Sequence, residues 1–439
     1  MQKQRIVHIV GGGLAGCEAA WQILKAGHRV RLYEMRPKKM TPAHHTGDLA
    51  ELVCSNSLKS LSPDSAPGLL KSEMQAFASL ILTAAHSAAV PAGQALAVER
   101  KVFSQMIQKT LQNFANFELV EEEITHLPSV SELQASGDLW IIASGPLSSA
   151  DLLKQLEGLC ADSHRLHFYD AIAPILETES IDQSIVFRAS RYAEGDAGDY
   201  LNVPLNREEY ENFIDAVIAA EKMSLHEFEE VKYFESCLPI EVMIERGRET
   251  LRFGPMKPMG LIDPRTGRRP WAAVQLRLEN QAGTMVSMVG FQTKMKWPEQ
   301  KRVFSLLPGL GEVEFFRYGS VHRNSYLQSP DVLSSDLSFK AAPQVFLAGQ
   351  ITGVEGYTES AAMGLLAGCS VVARLRGEMF PMPPVGTMLG SLYHYISQGS
   401  LGEFQPMNAN LGLLPALARA RGQSKQERKT AQCALARAV

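Results

Sequence analysis

The apolar positions near the start of the chain change period twice. Residues 5 to 10, RIVHIV, form a short near-continuous apolar run. GGGLAG follows, then CEAAWQILKAG with apolar residues at helical spacing, then the alternating HRVRLYE. This pattern predicts strand, glycine turn, helix and strand, one βαβ unit over residues 5 to 34. Further strands are predicted at DLWIIAS (138 to 144) and PQVFLAG (343 to 349), each with a glycine at or just after its carboxyl end. From about 165 to 330 the texture differs, with AAVQLRL and MVSMVGFQT as strands and REEYENFIDAVIAAEK as a helix. That stretch is expected to be an inserted domain. After TESAAMGLLAGCSVVARLRG come a proline-rich turn, MFPMPPVG, and a last, basic helical segment from about 411. No repeat or low-complexity tract is present.

Gly11, Gly13 and Gly16 form GxGxxG between strand and helix, with Leu14 and Ala15 inside the motif and Glu34 closing the next strand 18 residues later. The first glycine permits the tight turn and the second lets the backbone approach a pyrophosphate at the helix N-terminus. The third lets helix and strand touch, and Glu34 can accept from ribose hydroxyls. A second strand, glycine turn and small-residue helix occupies 346 to 368, FLAGQITGVEGYTESAAMGLLAG. Tight helix packing would account for Gly364 and Gly368 but leaves Gly349, Gly353 and Gly356 unexplained. Two such turns far apart resemble the two-part site of an FAD protein, one holding the adenosine half and the other the flavin half. FAD is therefore expected rather than a visiting nicotinamide. The fold class expected is α/β: a Rossmann-like, glutathione-reductase-like FAD-binding domain (1–165 and 331–439, the second part with a basic C-terminal helix) and an α+β insertion domain (166–330).

Composition narrows the class further. The chain has 439 residues, 45% hydrophobic and 21% charged, as expected for a globular protein. A formal charge of -4 announces no nucleic-acid partner, although a local basic face can hide in such a balance. The six cysteines, Cys17, Cys54, Cys160, Cys237, Cys369 and Cys433, lie far apart without metal-ligand spacing, so no metal site is expected. A reduced, cytoplasmic setting follows. No charged leader precedes the first strand and no apolar run reaches the roughly 18 residues of a membrane span, so neither export nor membrane insertion is expected.

Cys54 stands out. It sits in ELVCSNSL, among small polar residues just after the loop TPAHHTGD, where a packed cysteine would have aliphatic neighbours. Such surroundings suit a reactive thiol.

GGGLAGCEAAW, YEMRP, TPAHHTGDLAELVCSNSL, FYDAIAPI, FRASRY, CLPIEVM, GPMKPMGL, GFQTKMKWPEQKRVF, GQITGVEGY and FQPMN, in this order from residue 6 to about 415, resemble one family. It is the TrmFO family, the bacterial folate- and FAD-dependent tRNA (uracil-5-)-methyltransferases. Departures are small: IIASG lacks a threonine before its glycine, PAGQALAVER carries Gln94 and Glu99, and Cys17 stands beside the third glycine. The resemblance implies methylation of uridine C5 in the tRNA T loop, with 5,10-methylenetetrahydrofolate as carbon donor and NAD(P)H reducing through FAD. C5 of uracil becomes nucleophilic once a thiolate adds at C6; a base then removes the C5 proton and hydride reduces the exocyclic methylene. By the family pattern the two thiols are Cys54 and Cys237. The expected division makes Cys237 the nucleophile and Cys54, near the flavin, the proton acceptor or the partner in one-carbon handling. The other four cysteines are expected to pack or lie exposed.

For RNA, residues 246 to 269 carry Arg246, Arg248, Arg252, Lys257, Arg265, Arg268 and Arg269 against Glu249 and Asp263, a basic footprint. The C-terminal segment with Arg419, Arg421, Lys425, Arg428 and Lys429 is a second. His322, Arg323 and Asn324, in RYGSVHRNSY, offer hydrogen-bonding groups to a folate or a nucleobase. Alternatives stay open: the same chemistry on a ribosomal RNA uridine, the fold-sharing wobble-uridine modification protein, which is usually longer, or a non-catalytic FAD-containing RNA-binding factor. No stable protein partner is inferred.

Overall fold

A computed structural model of the chain describes residues 5–160, 165–191, 198–223, 238–398, 404–417 and 424–439. Its first layer is a parallel five-stranded sheet of β1 (Ile6–Val10), β2 (Arg29–Glu34), β3 (Phe117–Glu121), β4 (Leu139–Ile142) and β5 (Val345–Leu347), ordered β5-β4-β1-β2-β3. Val7, Ile9, Ile141, Ile142, Phe346 and Leu347 are fully buried, as strands covered by helices on both faces require. Two helices dominate one face: α1 (Leu14–Lys25) after β1 and α2 (Tyr357–Arg376) after β5. They cross closely at Gly364, where an added Cβ would stand 2.1 Å from the Ala15 carbonyl oxygen. The strand order reverses around β1, so the carboxyl ends of β1, β2, β4 and β5 face one crevice.

Residues 175 to 317 supply a six-stranded antiparallel sheet, in the order Phe187–Ala189, Tyr200–Leu205, Ala272–Leu278, Met285–Met288, Ile175–Glu177, Phe315–Arg317. It has its own core, in which Phe213, Phe291 and Phe304 pack ring against ring with centroids 6.1 to 6.4 Å apart. Helix Arg207–Ala219 covers it, started by a capping box between Asn206 and Glu209. The chain enters this unit along strand Arg165–Ile172 and leaves along Ser320–Leu327; the two pair antiparallel over their whole length. A small sheet of Ser57–Ser60, Ala95–Val98 and Ala89–Val90 lies just after Cys54.

Two boundaries differ from the sequence reading. The strand at MVSMVGFQT stops at Met288, because Gly290 turns the chain at φ +77° against Pro255. The last helix was expected from about 411; instead Leu411–Leu413 form one 3₁₀ turn and the helix runs Lys425–Ala438. Pro415 cannot continue a helix, and Ser424 with Glu427 makes a capping box that sets the true start. Of the second basic candidate, Arg419 and Arg421 lie outside the described residues. Among the described residues no helix is long and apolar enough to cross a membrane.

Candidate active site

The first glycine motif acts through its main chain. Gly11 has φ +106°, and an added Cβ would lie 2.4 Å from the Ala143 carbonyl oxygen, so only glycine makes the turn under β4. Around Gly13 no atom lies within 4 Å of where a Cβ would be. That open space lies at the N-terminus of α1, which Gly13 caps without a side-chain hydrogen bond. Leu14 and Ala15 are buried in the first turn. α2 begins after Gly356, again with no side-chain cap, but there the Glu359 carboxylate and the Lys59 ammonium fill the space a Cβ would take. Two helix ends thus offer their first N–H groups and positive dipole ends to one groove. The groove is open to solvent, with about 1030 Å³ of space between its walls, and is lined by Gly11, Gly13, Glu34, Gly145, Gly349 and Tyr357. With two anion-favouring helix ends, it fits a dinucleotide diphosphate. Gly349 and Gly353 bracket a single 3₁₀ turn between β5 and α2.

Glu34 lies at the end of β2 with its carboxylate fully engaged. Oε2 accepts from Gly12 N at 2.9 Å and Arg36 Nη2 at 3.1 Å; Oε1 accepts from Arg36 N at 3.1 Å and Nε at 2.9 Å. Burial alone would raise its pKa, but the Arg36 contacts outweigh that and leave it below the ordinary carboxylate value. A ribose hydroxyl would therefore share an oxygen with these donors. Arg36 continues to Glu51 Oε2 at 2.9 Å, tying β2 to the loop that leads to Cys54.

Cys54 lines a second cavity beside the groove, open to solvent and with about 1400 Å³ of space between its walls, lined also by Lys59, Arg277, Asn324, Glu355 and Tyr357 among others. Val53, Pro146, Leu147, Gln350 and Tyr357 line both spaces. Cys54 is half-buried. The Tyr357 hydroxyl oxygen accepts from Cys54 N at 2.7 Å and Ser55 N at 3.2 Å and stands 3.0 Å from Cys54 Sγ. Arg100 donates to the Leu52 carbonyl at 3.0 Å, Arg317 to the Val53 carbonyl at 2.9 Å and Arg277 to Asn56 Oδ1 at 2.9 Å. The loop bearing Cys54 is therefore gripped by the antiparallel sheet, through Arg277 and Arg317, and by two helices, through Arg100 and Tyr357.

The other sequence candidates fall in several places. Asn324 is buried on the second cavity's wall; for His322 and Arg323 the structure describes only the backbone, on the same strand. Cys237 lies outside the described residues. Arg246, Arg248, Arg265, Arg268 and Arg269 are exposed on the inserted unit. Arg248 is held by Glu211 (2.8 Å) and Asp215 (2.6 Å) and Arg265 by Asp263 (2.8 Å), so the footprint is less positive than its sequence suggests. Arg252 stacks on Trp271, 3.8 Å from the ring centroid. Cys17, Cys160 and Cys433 are buried and Cys369 is half-buried; burial pushes the Cys369 thiol up to about 12 and that of Cys17 further. Sequence reasoning missed Arg36, Arg100, Arg277, Arg317 and Tyr357. All five stand inside quoted stretches, Arg36 in YEMRP, Arg100 in PAGQALAVER, Arg277 in AAVQLRL, Arg317 in RYGSVHRNSY and Tyr357 in GQITGVEGY, but nothing local singles any of them out.

The sequence model of the family described as glucose inhibited division protein A matches residues 6–379. A Geobacter sulfurreducens protein named methylenetetrahydrofolate--tRNA-(uracil-5-)-methyltransferase TrmFO is 54% identical over 411 residues, 94% of this chain and 93% of its own. Proteins of the same name from Syntrophus aciditrophicus and Acetivibrio thermocellus are 51% and 48% identical, covering 95% and 98% of this chain and 93% and 97% of theirs. Among solved structures, Aquifex aeolicus GidA shares the fold, with a TM-score of 0.69 at 15% identity over 99% of this chain and 73% of its own.

Proposed function

The chain belongs to the glucose inhibited division protein A family and, within it, to the TrmFO group, and from that premise we propose that it methylates uridine C5 in the T loop of tRNA with carbon from 5,10-methylenetetrahydrofolate. The observation that carries this reading is the position of Cys54 on the wall of the second, roomier cavity, next to Val53 and Tyr357, which also line the groove suited to a dinucleotide. FAD is the cofactor proposed for the groove; bound there, it supplies hydride drawn from NAD(P)H. The N–H groups at the starts of α1 and α2 would hold its diphosphate, Glu34 its ribose, and the Gly349–Gly356 turn its flavin end.

The remaining roles belong to side chains of this protein. Cys237 is proposed to add through sulfur to C6 of the uracil, moving the ring electrons toward C5 and O4, and to leave when the C5 proton has gone. Cys54, held by Tyr357, Arg100, Arg277 and Arg317, accepts that C5 proton. Asn324 and Lys59, on the second cavity's wall, offer donors to a pteridine or a pyrimidine. Arg268 and Arg269 are proposed to contact RNA phosphates.

The RNA target is tested by incubating the enzyme with labelled methylenetetrahydrofolate, NADPH and equal amounts of unmodified tRNA and ribosomal RNA. Label in 5-methyluridine of the tRNA T loop is expected. Label confined to ribosomal RNA would overturn the choice of target, and label in neither would overturn the enzymatic reading in favour of a non-catalytic RNA-binding factor.

A further inference from the structure

Three guanidinium groups from three separate elements converge on residues 52 to 56: Arg100 from helix Arg100–Gln112, Arg277 from strand Ala272–Leu278 and Arg317 from strand Phe315–Arg317. One buried carboxylate, Glu279, stands against them, its Oε2 3.0 Å from Arg100 Nε. Among the described residues, these three positive charges less one negative leave an excess of two. Arg277 and Glu279 are buried, at 8% and 4% exposure, and Arg100 and Arg317 are partly buried. Nε and Nη2 of Arg317 are buried without an acceptor among the described residues. Burial lowers the proton affinity of Arg277 and, with Arg100 beside it, brings that of Arg317 down to about 10; Glu279 opposes this at both arginines, and a charged Cys54 sulfur adds a smaller pull in the same direction.

A buried positive excess is costly unless an anion lies within reach. Tyr357 cannot supply one, because burial foremost, and the neighbouring Cys54 next, raise its pKa well above the ordinary value. Its hydroxyl oxygen accepts two main-chain N–H groups, and the Cys54 thiol donates to it at 3.0 Å; once that thiol is ionised, the hydroxyl's own proton is free to turn to the sulfur. We propose that Arg277 and Arg317 are positioning residues that, together with the Tyr357 hydroxyl, hold the sulfur of Cys54 as a thiolate in the resting enzyme. The thiol proton leaves to solvent through the second cavity, and the sulfur becomes the counter-ion the arginines lack. Among the described residues, the charged and titratable groups around it are Arg100, Arg277, Arg317, Glu279 and Tyr357, with Tyr200 beside Arg277, and Lys59, which is paired with Glu359, and Glu355 on the same cavity wall. A resting thiolate accepts the C5 proton without help from another base. That use rests on the proposed function; the ionisation does not.

The test needs neither RNA nor folate, so failure of methyl transfer leaves it standing. The reduced full-length enzyme is treated with iodoacetamide from about pH 5 to pH 10, and the alkylation rate at Cys54 is followed by peptide mass spectrometry. The wild-type midpoint is expected at least about one unit below the ~8.5 of an ordinary cysteine. Arg277→Gln and Arg317→Gln raise it by about one unit, roughly a tenfold slower reaction at a pH below both midpoints, whereas Arg317→Lys keeps it low. A wild-type midpoint at or above ~8.5 overturns the proposal even if every variant fails to fold. So does a midpoint that folded Gln variants leave unmoved.

Discussion

Replacing Gly364 with alanine tests how the cofactor groove is assembled. An added Cβ there would stand 2.1 Å from the Ala15 carbonyl oxygen and 2.7 Å from Ala15 C and Cα. Ordinary contact begins near 3.4 Å, so α1 and α2 must separate by about 1.3 Å, the difference of those two distances. Main chain stands on both sides, and no side-chain rotation relieves the clash. Overpacking of this kind costs about 1–3 kcal/mol, and the gain from alanine in a helix returns at most about 1 kcal/mol. In a chain of 439 residues the net loss moves the thermal midpoint by only a few degrees. Flavin retention is the more sensitive readout, because separating the helices also separates the two N-termini that face the groove. Gly364→Ala is expected to purify with less than half the flavin per protein of wild type. Gly368→Ala, whose Cβ would stand 2.9 Å from the Ala19 carbonyl oxygen, should lose less, and Gly158→Ala, with no atom within 4 Å, should lose none. Ala15→Gly should not rescue Gly364→Ala, since the clash is with main chain. A Gly364→Ala protein as stable and as yellow as wild type would refute the reasoning.

Tyr357→Phe removes the acceptor of the Cys54 and Ser55 N–H groups; a loss of roughly 2–4 kcal/mol by denaturant titration and at least tenfold slower methyl transfer are expected, with unchanged transfer as the contrary result. Glu34 has a folded pKa below 4.5, so its stabilising contribution is fully present above that value and is lost as pH falls through the folded pKa. Glu34→Gln should accordingly be less stable than wild type at neutral pH, with a gap that closes in acid; a gap constant with pH would contradict the pairing with Arg36. Arg268→Gln and Arg269→Gln should each weaken tRNA binding and lower the salt slope by about one, while Arg248→Gln, whose charge Glu211 and Asp215 already meet, should do less; equal effects of all three would remove the distinction.

The parallel sheet and its glycine turns were legible because they are local: a change from strand period to helix period around Gly11, Gly13 and Gly16 needs no distant partner. The unusual setting of Cys54 was legible for the same reason, since Ser55, Asn56 and Ser57 adjoin it. The arginines that grip its loop were not. Arg100 meets Leu52 across 48 residues, Arg277 meets Asn56 across 221 and Arg317 meets Val53 across 264, so only the folded chain brings them together. Arg277 also sits in AAVQLRL, where a single charge among apolar residues reads as one exposed face of a strand, yet all seven positions are buried. The basic run from 246 to 269 misled in the other direction, because the acids that neutralise Arg248 come from the preceding helix, Arg207–Ala219. The start of the last helix was missed because basic residues from 411 onward hid the break at Pro415 and the cap at Ser424.

The measurement that bears most directly on the central claim is the source of the methyl carbon. Purified enzyme, unmodified tRNA and NADPH are incubated in two parallel reactions, one with labelled methylenetetrahydrofolate and the other with methyl-labelled S-adenosylmethionine, and the digested tRNA is read for labelled 5-methyluridine. Label from the folate alone, abolished in both Cys54→Ala and Cys237→Ala, is the predicted result. Label from S-adenosylmethionine, or none from either donor with a folded, flavin-containing protein, would contradict the account.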